Sequence, residues 1–403
     1  MTTTENHACS LIFSHAVGPG ATGPYPVAAA VARFGVPCSV SRGPADPRDR
    51  RGRRFPLTAL VAAAAAGTLA GARSLTAIAE WIADAPRWVL LALGFPVDPF
   101  TRAVTVPHPT TVMRLLGRLD GDACDTAVSA FLQARAQNRQ AGPTRWRAVA
   151  VDGKQLRGSR AGGGKAVWLL AAMNHTGTVI AQRQVDTKSN ETPTFIPLLD
   201  GLALENTVVT ADAAHTQHAN GRWLREHGVH YIAVVKGNHP GLLEQLRKLP
   251  WADIPVDHKD RTRGRGRLEV RHLKTVAFRH LDYPGARQAL RVMRWRKILT
   301  SKKITIERLY SVTSLPPGAA TGEQLADWIR GHWKIENQLH HVRDTTFAED
   351  ASTTRTGSLP RVMASLRNLA ISVLRQDGRT NIATATRHHA RHPSRPLTAL
   401  GWT

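Results

Sequence analysis

Two apolar runs, each stopping at an acid, decide the fold: Arg147-Ala148-Val149-Ala150-Val151-Asp152 and Thr207-Val208-Val209-Thr210-Ala211-Asp212. Both are short and rich in valine, the signature of buried strands. Working outward, strand-like runs follow the first at 166–173 and 178–185, joined by the turn Asn174-His175-Thr176-Gly177. A helix is predicted near 194–202, with Pro193 suited to its first turn. A second helix is predicted near 217–227, a strand at 230–235 and a helix over 241–249.

The resulting order, β-β-β-α-β-α-β-α, is that of a ribonuclease-H-like α/β fold. In it the first and fourth strands lie side by side at the sheet centre, so Asp152 and Asp212 are expected to be neighbours. A third acid, Glu336, interrupts the apolar stripe of a predicted helix over 323–343. Leu325, Ile329, His332, Glu336, Leu339 and Arg343 share one face of it by helical periodicity. A carboxylate on that core-directed face is costly unless it meets a metal or a cation. The structural alternative is a buried ion pair with Arg343.

Two carboxylates at strand ends and one on a helix can hold two divalent metals against a phosphodiester. Carboxylate and water ligands suit Mg²⁺ or Mn²⁺. Asp152, Asp212 and Glu336 are therefore the candidate catalytic and metal-holding residues. Lys154, Lys236 and Arg343 are candidates for phosphate contact, with Asn238 and His340 as weaker ones. A rival arrangement uses His332, Glu336 and His340, spaced along one helix face, to ligate zinc. It leaves the strand-end aspartates without a role.

The charge agrees with a polyanionic partner. The 403 residues carry 54 Lys+Arg against 30 Asp+Glu, a formal +24. Neutralising phosphates releases counterions, so nucleic acid is the expected partner; a generally basic proteome is the bland alternative. From Lys259 to Arg308 there are 16 lysines and arginines against 4 acids, a local surplus of 12, half the total. Residues 251–318, with strand-like runs at 268–278, 290–296 and 304–313, read as a basic β-rich insertion. Its tract Arg261-Thr262-Arg263-Gly264-Arg265-Gly266-Arg267 reads as a flexible basic loop, with Arg265 and Arg267 placed for DNA contact.

Residues 46–140 read as a small helical domain, DNA-binding or simply a packing module with solvated arginines. Leu75, Ile78, Ala79 and Ile82 have amphipathic spacing. His108-Pro109-Thr110-Thr111 opens another helix with a threonine cap. The catalytic domain is assigned to 147–250 and 319–376, and 377–403 to a C-terminal tail. Residues 1–45 read as disordered or as an over-extended start.

Several classes are disfavoured. Cys9, Cys38 and Cys124 form no CxxC pair, which speaks against a disulfide framework or a cysteine zinc site and fits a reducing cytosol. The apolar stretch 57–72 falls short of the roughly 20 residues of a membrane span and reads as a buried helix. No secretion signal is evident, so a cytoplasmic, nucleoid-associated protein is expected. No GxxxxGK[ST] loop or nucleophile elbow is present. Gly162-Gly163-Gly164-Lys165 reads as a hairpin loop, not a phosphate cradle.

With those residues set out, the chain resembles a DDE transposase of the ISAs family of bacterial insertion sequences, relatives of the H-repeat-associated proteins. The stretches carrying the likeness include Gly71-Ala72-Arg73-Ser74-Leu75, Val151-Asp152-Gly153-Lys154-Gln155-Leu156-Arg157-Gly158 and Ala211-Asp212-Ala213-Ala214-His215-Thr216-Gln217. Val235-Lys236-Gly237-Asn238 and His332-Trp333-Lys334-Ile335-Glu336-Asn337-Gln338-Leu339-His340-His341-Val342-Arg343-Asp344 complete it. The resemblance runs from about residue 46 to the C-terminus. It implies Asp152, Asp212 and Glu336 as the catalytic triad, a helical domain linked to DNA binding, and a β-insert between the second and third acids. It implies transposition of a mobile element: cutting and joining double-stranded DNA at terminal inverted repeats and target, by copies assembled on paired ends. Related transposases often carry a tyrosine and an arginine before the glutamate and a basic residue after it. Here those positions hold Ile329, His332 and Arg343, and only the last agrees; a protonated His332 is an alternative phosphate contact. A decayed element protein that binds without cutting, and a stand-alone nuclease, are the alternatives.

Overall fold

The computed structural model describes residues 45–137, 146–160, 164–186, 191–264, 266–301 and 303–402. The expectations placed on residues 1–44, on Gly162 and Gly163, and on Arg265 lie outside these.

Five helices come first: α1 (Leu57–Leu69), α2 (Leu75–Asp84), α3 (Arg87–Leu93), α4 (Pro109–Arg118) and α5 (Gly121–Gln137). Strands β1 (Arg147–Gln155), β2 (Trp168–Asn174) and β3 (Val179–Gln184) follow, then α6 (Phe195–Leu199), β4 (Thr207–Ala211), α7 (His218–Glu226), β5 (His230–Val235) and α8 (Pro240–Lys248). Next come β6 (His258–Gly264), β7 (Arg267–Ala277), β8 (Gln288–Ile298) and β9 (Ile304–Thr313). The last section holds α9 (Gly322–Gly331), a π-helical turn over Ile335–His340, α10 (His341–Thr345), α11 (Leu359–Gln376), α12 (Ile382–Ala390) and α13 (Ser394–Leu400).

All nine strands form one mixed sheet in the order β3-β2-β1-β4-β5-β9-β8-β7-β6. The first and fourth strands do lie side by side, parallel, with Val151 opposite Ala211. Strand alternation sends Val149, Val151, Leu170 and Ala172 to one face, where α6, α7 and α8 cover them through Phe195, Leu199, Leu224 and Leu246. Ala150, Ala171 and Met173 point to the other face, into a core shared by α1 to α5, α11 and the last two helices. On that same side Leu325 and Ile329 of α9 cover Val208 and Ile232. The sheet is thus the middle of three layers.

The fold departs from the sequence reading in several places. The strands of 251–318 extend the same sheet: β9 pairs antiparallel with β5, Ile232 opposite Thr313 and Val235 opposite Tyr310. The arginine tract is no free loop. Arg261 to Gly264 belong to edge strand β6, Gly264 lies opposite Arg267, and Gly266 adopts φ 71, so a tight hairpin links β6 to β7. A mostly exposed edge strand has no apolar alternation to betray it. The helical N-terminal region has no core of its own, because α11 packs directly on α1, α4 and α5. Within the stretch assigned to a C-terminal tail, α12 and α13 are helices, and Leu397 and Leu400 join that core. α1 is buried, as its apolar stretch predicts, and among the described residues no helix is long and apolar enough to cross a membrane. The cap of α4 is His108, whose Nδ1 accepts from the Thr110 amide, rather than a threonine.

Candidate active site

The pocket opens where β4 stops and β1 does not. β1 runs past Asp152 to Gln155, paired only with β2 over its last residues, Asp152 opposite Ala171 and Gln155 opposite Trp168. The parallel ladder to β4 ends at Val151 and Ala211. Asp152 is therefore inside a strand, at the point where β1 loses its β4 partner, rather than at the strand's end where its apolar run stops. Asp212 leaves β4 and caps the short turn Ala213–His215, its Oδ1 accepting from the Ala214 amide at 3.0 Å.

Glu336 arrives by a different route from the one its periodicity predicts. The predicted helix is interrupted: α9 ends at Gly331 and a π-helical turn spans Ile335–His340. Such a turn adds a residue to the helical repeat and rotates the residues beyond it about the axis. Ile335 and Leu339 take the core positions, and the Glu336 side chain is left 61% exposed. The premise that Glu336 lies on a core-directed face is corrected by that rotation. Its alternative, an ion pair with Arg343, is not formed either. Glu336 Oε2 instead meets His340 Nδ1 at 3.2 Å, and the same nitrogen is 3.5 Å from Asp152 Oδ2.

Two groups of ligand atoms result, each drawn within 4.8 Å: Asp152, Glu336 and His340, and Glu191, Asp212 and His215. The three predicted acids are thus divided between adjacent groups, two in the first and Asp212 in the second. The groups feel each other. Burial pushes the Asp152 carboxyl up to about 7, the Gly153 amide opposes this, and the charges of Glu336, Asp212 and Glu191 add to the rise. Burial, then the Asp212 charge, raises Glu191. Glu336 goes the other way, lowered first by its hydrogen bond to His340. Burial lowers both His340 and His215, so each imidazole is neutral near pH 7 and has a lone pair to offer.

The donor set fits divalent cations. It holds four carboxylates and two neutral imidazoles, and the buried His340 Nε2 and both ring nitrogens of His215 have no hydrogen-bond partner. A bound cation stabilises like charges gathered in a half-buried place, and His215, with neither ring nitrogen paired, has a donor to offer it.

The remaining predicted residues fall unevenly around this pocket. Lys236 and Asn238 are exposed beyond β5, and Asn238 Nδ2 donates to the Ala213 carbonyl at 2.6 Å, bracing the Asp212 turn. Lys154 is only 9% exposed and bonds Asp344 at 2.7 Å, with Asp350 at 3.6 Å, so its ammonium is engaged by acids rather than free for phosphate. Arg343 is fully buried, donating to Glu349 at 2.8 Å and to Asn368. The expected phosphate contact by Arg343 is corrected accordingly. Arg267 is exposed on β7, 3.2 Å from Glu269. His332 is held at about 4 by burial, with Asp212 opposing, and lies 3.4 Å from Thr210 Oγ1. It carries no charge for a phosphate near pH 7 and joins neither ligand group, so the three-residue zinc arrangement is not assembled.

Sequence reasoning missed Glu191 and His215. Glu191 precedes Thr192-Pro193 at a helix start, where an acid reads as an ordinary first-turn residue. His215 lies three residues beyond Asp212, and only the turn that Asp212 caps brings it back to the pocket.

Comparison with known proteins bears on what this pocket is. Residues 144–373 match the family described as Transposase DDE domain, and residues 44–132 match one described as DDE_Tnp_1-associated. "Putative protein YbfL" of Escherichia coli K12 is 27% identical over 249 residues, covering 57% of this chain and 64% of that protein. "Putative transposase YncI" of E. coli O157:H7 is 25% identical over 285 residues, covering 67% and 71%. "H repeat-associated putative transposase YhhI" of E. coli K12 is 26% identical over 249 residues, covering 57% and 64%. The chain spans less than two thirds of the length of YbfL and of YhhI. Since the domain match takes in more than half of the sequence, including Asp152, Asp212 and Glu336, the chain belongs to the Transposase DDE domain family.

Proposed function

We propose that this protein is a transposase that cuts and joins double-stranded DNA at the ends of an insertion sequence, on a ribonuclease-H-like framework. Asp152, Asp212 and Glu336 are its metal-holding catalytic acids. The observation that carries the reading is the crowding at Asp152. A carboxyl pushed up to about 7 by burial and by three neighbouring carboxylates is a poor choice for stability and a good one for holding cations. Divalent cations held there, Mg²⁺ or Mn²⁺, make an attacking oxygen nucleophilic near neutral pH and steady the leaving oxygen of a phosphodiester.

The residues divide the work. Asp152 and Glu336, with His340, would hold one cation, and Asp212, whose charge Asp152 feels, would help hold another. Glu336, exposed on its π turn, is open to solvent and so within reach of a DNA strand that approaches the site. Water as nucleophile breaks a phosphorus–oxygen bond and frees a 3′-hydroxyl at the element end. That hydroxyl then attacks target DNA, displacing one strand oxygen for another. Beside the site, a groove between α9 and the β6–β9 extension is lined by Lys236, Arg308 and Trp333 and by Arg271, Arg294 and Arg330, which pair with the lining acids Asp260, Glu307 and Asp327. The exposed Lys236 and Arg308 are the cations left to meet a phosphate backbone, and the exposed indole of Trp333 offers a stacking face. Pairing two element ends calls for two or more copies of the chain.

The test uses DNA bearing the element's terminal repeats. Asp152→Asn, Asp212→Asn and Glu336→Gln should each abolish divalent-dependent cleavage while DNA retention persists. Normal cutting by any one of them refutes the assignment. Cutting without joining by the wild type makes it a nuclease, and retention without cutting makes it a decayed element protein.

A further inference from the structure

We propose that Glu191 and His215 are metal ligands, forming with Asp212 a second cation-binding half beside the Asp152–Glu336–His340 half, and that the pocket prefers Mn²⁺ to Mg²⁺. The inference rests on the metal-dependent reading above and deepens it from three ligands to six.

Three independent features support it. The first is the state of His215. It is 2% exposed, yet neither ring nitrogen has a hydrogen-bond partner. Its Nε2 points into the group, 3.7 Å from Glu191 Oε1, while its ring packs on Phe195 at 5.2 Å between centroids. A buried polar atom left unpaired costs about 1–3 kcal/mol, and a cation between His215, Glu191 and Asp212 removes that cost.

The second feature is the way Glu191 is held. Trp168 Nε1 donates to its Oε2 at 3.2 Å. One oxygen is fixed by an indole and the other faces Asp212 and His215, the arrangement by which a neighbouring donor orients a ligating carboxylate. The third is the shape of β1. A Cβ at position 153 would come within 2.0 Å of Glu191 Oε2 and 2.6 Å of Trp168 Nε1, so Gly153 lets the fourth acid approach the strand that bears Asp152.

The metal preference follows from the donors. Each half offers two carboxylates and one neutral imidazole. Oxygen-only cages suit Mg²⁺, whereas an imidazole nitrogen favours a transition metal. Mn²⁺ accepts both donor types.

The experiment is a Mn²⁺ titration of the full chain after chelator treatment, followed by calorimetry and by the loss of the free-ion paramagnetic resonance signal. The wild type should bind two ions. Glu191→Gln keeps an acceptor for Trp168 and removes the charge; it should weaken one ion by tenfold or more, as should His215→Phe. Mg²⁺ competition should displace Mn²⁺ less readily from wild type than from His215→Phe. Metal-free melting curves check that each variant is folded, and Glu191→Gln decides alone if the phenylalanine variant is not. Wild-type Mn²⁺ binding by Glu191→Gln overturns the proposal. Asp152→Asn separates the two levels: if it weakens Mn²⁺ while Glu191→Gln does not, only the second half fails. If Asp152→Asn also leaves binding unchanged, the metal reading of the whole pocket fails.

Discussion

Asp152→Asn should make the metal-free protein more stable above neutral pH. The Asp152 carboxyl is raised from 3.8 to about 7, by burial first and then, against the Gly153 amide, by the charges of Glu336, Asp212 and Glu191. One pKa unit corresponds to about 1.4 kcal/mol. The shift therefore amounts to about 4 kcal/mol at most, a ceiling because the side chain keeps 27% of its surface and water screens part of the repulsion. The sign follows from where the proton sits. Below pH 3.8 the group is protonated in both folded and unfolded chains, and the difference vanishes. Between there and about 7 the unfolded chain ionises while the folded one holds its proton, so wild-type stability falls as pH rises. Above that the full penalty is present. Asparagine is neutral throughout, and its oxygen still accepts from the Gly153 amide, as Asp152 Oδ1 does at 2.9 Å.

The assay is urea unfolding in chelator from about pH 4 to about pH 9, a window that brackets the raised carboxyl. The two curves should meet at the acid end and separate towards neutrality, with the variant above. Adding Mn²⁺ should close most of the gap, because a ligand at a hundredfold over its dissociation constant adds about 2.7 kcal/mol to the protein that binds it. A variant no more stable than wild type at about pH 8 in chelator would refute the crowding argument, and with it the observation that carries the function.

Two further outcomes test other parts of the structure. Glu349→Ala removes the shared partner of Arg343 and Arg367, which donate to it at 2.8 Å each in a buried place; stranding two buried guanidinium groups should cost roughly 3–5 kcal/mol in urea unfolding, and a loss below about 1 kcal/mol would mean the network is solvated. Lys236→Ala and Arg308→Ala, in the basic groove, should each flatten the dependence of log affinity for duplex DNA on log salt by about 0.9. An unchanged slope in both would remove the groove from the DNA path.

How much the sequence discloses depends on how local each signal is. The runs ending at Asp152 and Asp212 are legible because buried parallel strands are continuous apolar segments, and β4 and β5 begin and end where their sequences predict. The adjacency of β1 and β4 comes from element order alone. Edge strand β6 is illegible because charged residues on an exposed edge mimic a loop. Arg343 reads as a basic residue on a helix beside an active site; that it faces Glu349, Asn368 and Arg367 depends on α11, far along the chain. The π turn has no residue signature comparable to a proline or a glycine. Periodicity therefore carries Glu336 to the wrong face, although the same turn brings it beside His340 and Asp152.

Several features of the Asp152 site work against stability. A glycine inside β1, a π turn inside a helix, two buried imidazoles with unpaired nitrogens and a set of mutually repelling carboxylates each break a rule that favours stability. Elsewhere the chain also leaves some buried atoms unpaired, among them His272 Nε2, Ser311 Oγ and His389 Nδ1, but α9 has a complete capping box and the buried Asp125 is matched by Arg361, Ser365 and Gln182. What sets the Asp152 site apart is that mutually repelling carboxylates and an unpaired buried imidazole meet there, which points to a site kept for its chemistry. A single agent relieves most of them. A cation neutralises the carboxylates, accepts the imidazole lone pairs and rewards the close approach that Gly153 permits, so the features that weaken the empty pocket are those that strengthen the loaded one.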